Sequence, residues 1–177
     1  RSPLIQKVSS NLSVFWPTSW FHWHLWRALG LSKMYRTRIA NMVGAALRSI
    51  GFSHKGKRVL WVFRPEQVEW LGLFDEDVVL YECYDEYRYD ASSGVLLPDM
   101  VEQENRLLRQ SSIVYTTSEE LYLSRKERHG NVHFIPNGVD FDLFFTNSVV
   151  APEIERIPKP RIGYMGSITH WLDLDLI

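Results

Sequence analysis

The sequence predicts an α/β domain built on a mostly parallel sheet. Three observations lead there. Short apolar runs at 57–63, 78–84, 113–116 and 132–135 are rich in β-branched and aromatic residues. Gly, Pro or acidic residues bound them, and segments with helical spacing alternate with them. The runs KRVLWVF and DVVLYECY each hold a continuous apolar stretch, VLWVF and VVLY, which predicts strands covered on both faces, as in βαβ units.

The elements follow in chain order. Asn11–Phe15 is an apolar run stopped by Pro17 and reads as a strand. Phe15–Leu29 then holds Trp16, Trp20, Trp23 and Trp26, four of the seven tryptophans. In Tyr35–Ile50 the apolar residues Ile39, Met42, Val43, Ala46, Leu47 and Ile50 recur at helical spacing, with Gly51 just past the end. Leu97–Gln110 opens with Pro98 and Asp99, a helix start. Ser118–Arg128 is a second such helix, with Ser118 as N-cap and Gly130 as stop. Ala151–Pro160 carries Pro152, Pro158 and Pro160 and predicts a linker of extended backbone. Arg161–Met165 then begins another apolar strand, closed by Gly166-Ser167. The expected organisation is one domain over 1–150, a linker over 151–160, and the opening strand and turn of a second domain over 161–177. The sequence opens on Arg1 with no initiator Met, so it is expected to be a piece of a longer chain.

Composition narrows the class. With 177 residues, 45% hydrophobic and 23% charged, the chain suits a packed domain and excludes wholesale disorder. Cys83 is the single cysteine, which excludes an internal disulfide or a cysteine-built zinc site; inside an apolar strand it reads as a small core residue. No apolar run reaches the roughly 18 residues of a spanning helix, and the start does not resemble a signal peptide. Charge is segregated. Residues 1–65 carry eleven Lys or Arg and no Asp or Glu, leaving nine basic and all 21 acidic residues to the remainder. A basic first third implies an anionic partner. No nucleic-acid reader motif accompanies it, so nucleic acid is not expected.

In an open parallel sheet, ligands bind at the carboxyl ends of the strands. Those ends carry Asp85-Glu86, Thr117-Ser118, Asn137-Gly138-Val139-Asp140 and Gly166-Ser167, as one cleft requires. Asn137-Gly138 suits a turn with positive φ. Ser118 reads as an N-cap first and a cleft residue second. Other signals carry less. Asp75-Glu76-Asp77 precedes a strand and reads as a solvated turn. His22 and His24 lack a third ligand at a suitable spacing; His54, His129 and His133 show no partner. No metal is expected.

Together these segments resemble a known family. FIPNGVDFDLF at 134–144 is similar to the interdomain signature of GT-B-fold glycosyltransferases, particularly the group that includes bacterial polysaccharide and lipid-linked-sugar transferases. LYECYDEY at 80–87, IVYTTSEEL at 113–121 and PRIGYMGSITHWLDLDLI at 160–177 follow in the same order as in that family, so the resemblance spans 57–177. It implies a Rossmann-like acceptor-side domain, truncated at the start of a donor-binding domain whose nucleotide-sugar contacts lie beyond Ile177. It also implies a nucleotide-sugar co-substrate, a glycan or lipid-linked acceptor, and no further cofactor. Asp85 becomes the candidate general base on an acceptor hydroxyl, set against a plain loop or capping carboxylate. Glu86, Ser118, Asn137, Gly138, Asp140, Gly163, Gly166 and Ser167 become candidate binding residues. Gly163 and Gly166 would let backbone approach a phosphate. The family's Arg after the turn glycine is absent: the turn reads Gly166-Ser167-Ile168-Thr169.

Two readings compete with it. A Rossmann-type sugar-nucleotide-binding oxidoreductase or epimerase needs a G-x-G-x-x-G turn after an early strand, which is absent. A non-catalytic α/β module on a membrane or other anionic surface fits the basic first third. Trp16, Trp20 and Trp23 recur at helical steps and Arg27 continues that side, which suits an anionic headgroup layer; the alternative is that these tryptophans fill the domain's own core. The expected location is cytoplasmic, peripheral on the inner face of the plasma membrane.

Overall fold

The computed structural model describes residues 4–16, 30–52, 56–145, 150–168, 172, 173, 175 and 176. β1 (Leu4–Lys7) and β2 (Ser13–Trp16) pair as an antiparallel hairpin with Leu4 opposite Trp16. The Val8 and Ser9 N–H groups close its turn by donating to the Leu12 carbonyl, at 2.8 and 3.1 Å. The strand expected over 11–15 thus has a partner that the sequence did not advertise. Trp16 is 48% exposed. Trp20, Trp23 and Arg27 lie outside the described residues.

Helix α1 (Ser32–Ser49) buries Ile39, Ala40 and Ala46 and ends where expected. Gly51 stands at φ +71° and its N–H donates to the Arg48 carbonyl, while that of Phe52 donates to Leu47. This is the left-handed helix end that glycine makes easy.

The main sheet holds β3 (Val59–Val62), β4 (Val78–Cys83), β5 (Ile113–Thr116) and β6 (Val132–Phe134). All pairs are parallel and the order is β3-β4-β5-β6. A 3-10 helix at Pro65–Trp70 follows β3. Helix α2 (Pro98–Gln110) crosses from β4 to β5, and α3 (Glu119–Lys126) from β5 to β6. Short α4 (Phe141–Phe145) and α5 (Pro152–Glu155) come after.

This order corrects one expectation. Every crossover steps the same way across the sheet, so right-handed connections put all of them over one face. Val62, Val79, Tyr81, Cys83 and Val114 are buried there with Leu107, Leu108 and Leu121. The opposite face alternates with it: Val59 is 52% and Trp61 53% exposed, and Leu80, Glu82, Ile113 and Tyr115 are half-buried. Among the described residues the strands are therefore covered on one face, although their runs are apolar on both.

Two further expectations fail. Within 151–160 the backbone is not extended throughout, because Pro152 opens α5 from the first helical turn, where its missing N–H costs nothing. Residues 161–165 form no strand. They pair with nothing among the described residues, and Ile162 and Met165 are 98% and 94% exposed. The turn at Asp75-Glu76-Asp77 is as expected: Asp75 has φ +50°, and Asp77 Oδ2 accepts the Arg58 N–H at 2.7 Å, fastening the start of β4 to that of β3. No described helix is long and apolar enough to cross a membrane.

The core sets the stability. Leu107 is fully buried, so Leu107→Ala is expected to cost about 2–5 kcal/mol in urea unfolding. Leu123, 56% exposed on α3, gives the contrast: Leu123→Ala should stay within about 0.5 kcal/mol of the parent.

Candidate functional site

A cleft of about 500 Å³ opens at the carboxyl ends of β4 and β5. Its lining includes Tyr84, Asp85, Glu86, Arg88, Thr117 and Ser118. The backbone beneath is fixed locally. Thr117 Oγ1 donates to the Tyr84 carbonyl at 3.1 Å and locks the two strand ends together. Ser118 is the N-cap expected: its Oγ accepts the Leu121 N–H at 3.3 Å, and it also lines the cleft.

The two adjacent acids have opposite environments. Asp85 is exposed; its Oδ1 accepts the Glu86 N–H at 2.8 Å, and it makes no ion pair among the described residues. Glu86 is held by two guanidinium groups. Arg88 donates to it at 2.6 and 2.8 Å, and Arg125 at 2.9 and 3.2 Å. Partial burial works against its charge, but these hydrogen bonds outweigh burial and hold the carboxyl well below the usual range. Glu86 is thus an anchor, while Asp85 is the neighbouring acid that makes no ion pair among the described residues.

Arg125 is the centre of this network. Its side chain is fully buried and also donates to Glu104 Oε1 at 2.8 Å. Glu104, equally buried, accepts from the Tyr81 hydroxyl at 3.1 Å and from Arg128 at 3.4 Å. Burial alone would lower the Arg125 pKa; the carboxylates of Glu86 and Glu104, with the nearby Cys83, reverse that and raise it. Burial pushes the Cys83 thiol up to about 11, so it rests protonated beside Glu104. Neither Glu104 nor Arg125 stood out from the sequence. Each sits on the buried stripe of its helix, Glu104 with Leu107 and Leu108, Arg125 with Leu121. A charged residue in an apolar stripe was the available signal.

The other expected site residues do not line this cleft. Asn137 and Gly138 follow β6 on the same sheet edge, and Gly138 lacks the positive φ expected of it. Asp140 acts as a cap: its Oδ1 accepts the Leu143 N–H at 3.0 Å at the start of α4. Gly163, Gly166 and Ser167 lie in exposed backbone. At Gly166 a Cβ would stand 2.6 Å from the Tyr164 hydroxyl, which itself donates to the Ser167 carbonyl at 3.0 Å. The ring of Tyr164 thus gives Gly166 a local reason. His129 is not partnerless, contrary to expectation. Its Nε2 lies 3.1 Å from the Ser111 carbonyl, which can only accept, so Nε2 carries the proton and Nδ1 accepts the Asn131 N–H. His133 likewise meets Asn131 Oδ1 at 2.9 Å. His22, His24 and His54 lie outside the described residues. No group of three or more His, Cys, Asp or Glu among the described residues could hold a metal ion.

The class that fold and cleft define is an α/β protein with an open polar cleft at the carboxyl edge of a parallel sheet. No family model matches the chain, and no curated protein or solved structure matches it at a significant level.

Removing one member of a buried ion network leaves the others uncompensated. Arg125→Met is therefore expected to destabilise the fold by about 3–5 kcal/mol in urea titration. The pH dependence has a definite sign. Glu86 has a folded pKa below its unfolded one, so its stabilisation is complete above about pH 4.3 and declines as pH falls below that. Glu86→Gln should flatten this acid limb of the stability–pH profile.

Proposed function

We propose that the chain is the acceptor-side part of a GT-B-type glycosyltransferase, which moves a sugar from a nucleotide-sugar donor to an acceptor hydroxyl in polysaccharide or glycolipid assembly. The observation that carries this reading is the contrast between Asp85 and Glu86. An exposed carboxylate without an ion partner stands at the mouth of a cleft, on a backbone that a buried network holds still. A general base needs that combination: a lone pair free to take the proton, and a fixed position from which to take it. Asp85 draws the proton from the acceptor hydroxyl as its oxygen attacks the anomeric carbon and the nucleoside diphosphate departs. Ser118 and Thr117 offer hydroxyls to orient the acceptor. Asn137, Gly138 and Asp140 shape the crossing toward the donor side, where Gly163, Gly166 and Ser167 stand. No cofactor beyond the co-substrate is called for.

The basic first third supports a peripheral position on the cytoplasmic face of an anionic membrane, where a lipid-linked acceptor would lie. Exposed Trp16 at the end of β2 suits the headgroup layer.

Two measurements test the proposal. With the encoded protein and a panel of uridine and guanosine diphosphate sugars, Asp85→Asn is expected to lower kcat about 100-fold or more with KM little changed. Unchanged turnover assigns the base elsewhere; absence of transfer with every donor and acceptor overturns the reading. In flotation, the protein should rise with phosphatidylserine-containing vesicles at low salt and be released at high salt. Equal binding to neutral vesicles removes the electrostatic part.

A further inference from the structure

The two edges of the four-stranded sheet are not alike. β6 is three residues long, carries His133 at its middle and is stopped by Pro136 two residues on, which blunts that edge. β3 is longer and apolar, with no charge from Val59 to Phe63.

Pairing with β4 fixes where the main chain of β3 points. The Arg58 carbonyl accepts the Val78 N–H at 3.1 Å, and Leu60 and Val62 stand opposite Val79 and Tyr81. Bonding residues alternate along a parallel ladder, so Arg58, Leu60 and Val62 face β4, and Val59, Trp61 and Phe63 face outward. The Phe63 N–H is taken by Gln67 Oε1 at 2.6 Å. Val59 and Trp61 keep their N–H and C=O groups without a partner among the described residues. Their side chains are about half exposed on the uncovered face of the sheet.

This edge complements itself. Set two copies antiparallel with Leu60 on a two-fold axis, and Val59 of each faces Trp61 of the other. Both residues of such a pair exchange N–H···O bonds, so four bonds form and every open group on both strands is used. Trp61 then lies beside Val59 of the second copy, a favourable aromatic and β-branched cross-strand pair. Lys57 falls opposite Phe63, Arg58 opposite Val62 and Arg64 opposite Gly56, so no cation meets a cation directly across the seam. Setting Trp61 against Trp61 instead would bring Val59 against Phe63, whose N–H Gln67 already holds.

We infer that β3 is a self-association edge, through which two copies of this chain join antiparallel at residues 59–61 and merge their sheets into one. The inference does not rest on the transferase reading, because it concerns the edge and not the cleft. A seam this short falls below the roughly 800 Å² per partner of a standard stable complex, so the pair forms at high protein concentration.

Sedimentation velocity on the purified chain from about 5 to 500 μM, a range suited to the affinity of a small interface, tests it. The mass is expected to rise from monomer to dimer and stop there. Amide exchange at the two ends of the range locates the seam. The Val59 and Trp61 N–H groups should become protected only in the concentrated sample, whereas those of Leu60 and Val62, bonded to β4, are protected in both. Val59→Pro removes an outward N–H at the first residue of an edge strand, where proline is tolerated and the ladder to β4 loses nothing. By symmetry it deletes two of the four bonds, so it should weaken the dimer about tenfold or more. The exchange measurement needs no substitution and decides the matter if this variant fails to fold. A mass that stays monomeric, growth past the dimer, or protection that leaves Val59 and Trp61 unchanged overturns the inference. So does a folded Val59→Pro chain that dimerises as tightly as the parent.

Discussion

One buried guanidinium organises the domain. Arg125 reaches from α3 to Glu104 on α2 and to Glu86 in the loop after β4, with its side chain fully out of solvent. Two crossover helices and a strand end are thereby tied at a single point. A charge in that place is tolerable only because every partner is present. The network therefore demands one arrangement of its elements, where apolar packing alone would accept several. The site inherits this rigidity. Glu86 is drawn inward by Arg88 and Arg125, and its neighbour Asp85 is left facing outward on the same fixed turn.

The parallel sheet explains why the cleft lies where it does. β4 and β5 end side by side, and the Thr117 hydroxyl reaches back to the Tyr84 carbonyl so that their ends do not splay. Crossovers that all step one way bury one face and leave Trp61, with Phe63 stacked on it at 5.8 Å, on the other. The chemistry-bearing groups collect at the edge because strand ends, unlike strand interiors, release backbone groups and polar side chains from the ladder.

Much of this was legible in the residues. The four strands, the three longer helices, the Ser118 cap and the Gly51 stop follow from local patterns, since each depends on spacing or on one residue's backbone preference. Asp85 and Ser118 were also readable as a pair, because strand ends in a parallel sheet share an edge. What failed was longer in range. Whether an apolar run is covered on one face or two depends on strand order, which KRVLWVF does not encode. RIGYM looks like a strand, but a strand needs a neighbour, and residues 161–165 have none among the described residues. Glu104 and Arg125 were hidden for a similar reason. Their meaning lies in a contact across 21 positions of sequence.

The single cysteine gives the domain an internal clock. Cys83 has no exposed surface, and its thiol is held protonated by burial in the same core that Arg125 secures. Only the thiolate reacts with alkylating agents, and only when a reagent can reach it. The thiol therefore stays silent in the closed sheet and becomes reactive when β4 parts from α2. Its rate of labelling by an alkylating agent measures how often the sheet opens, with no residue to be introduced for the purpose.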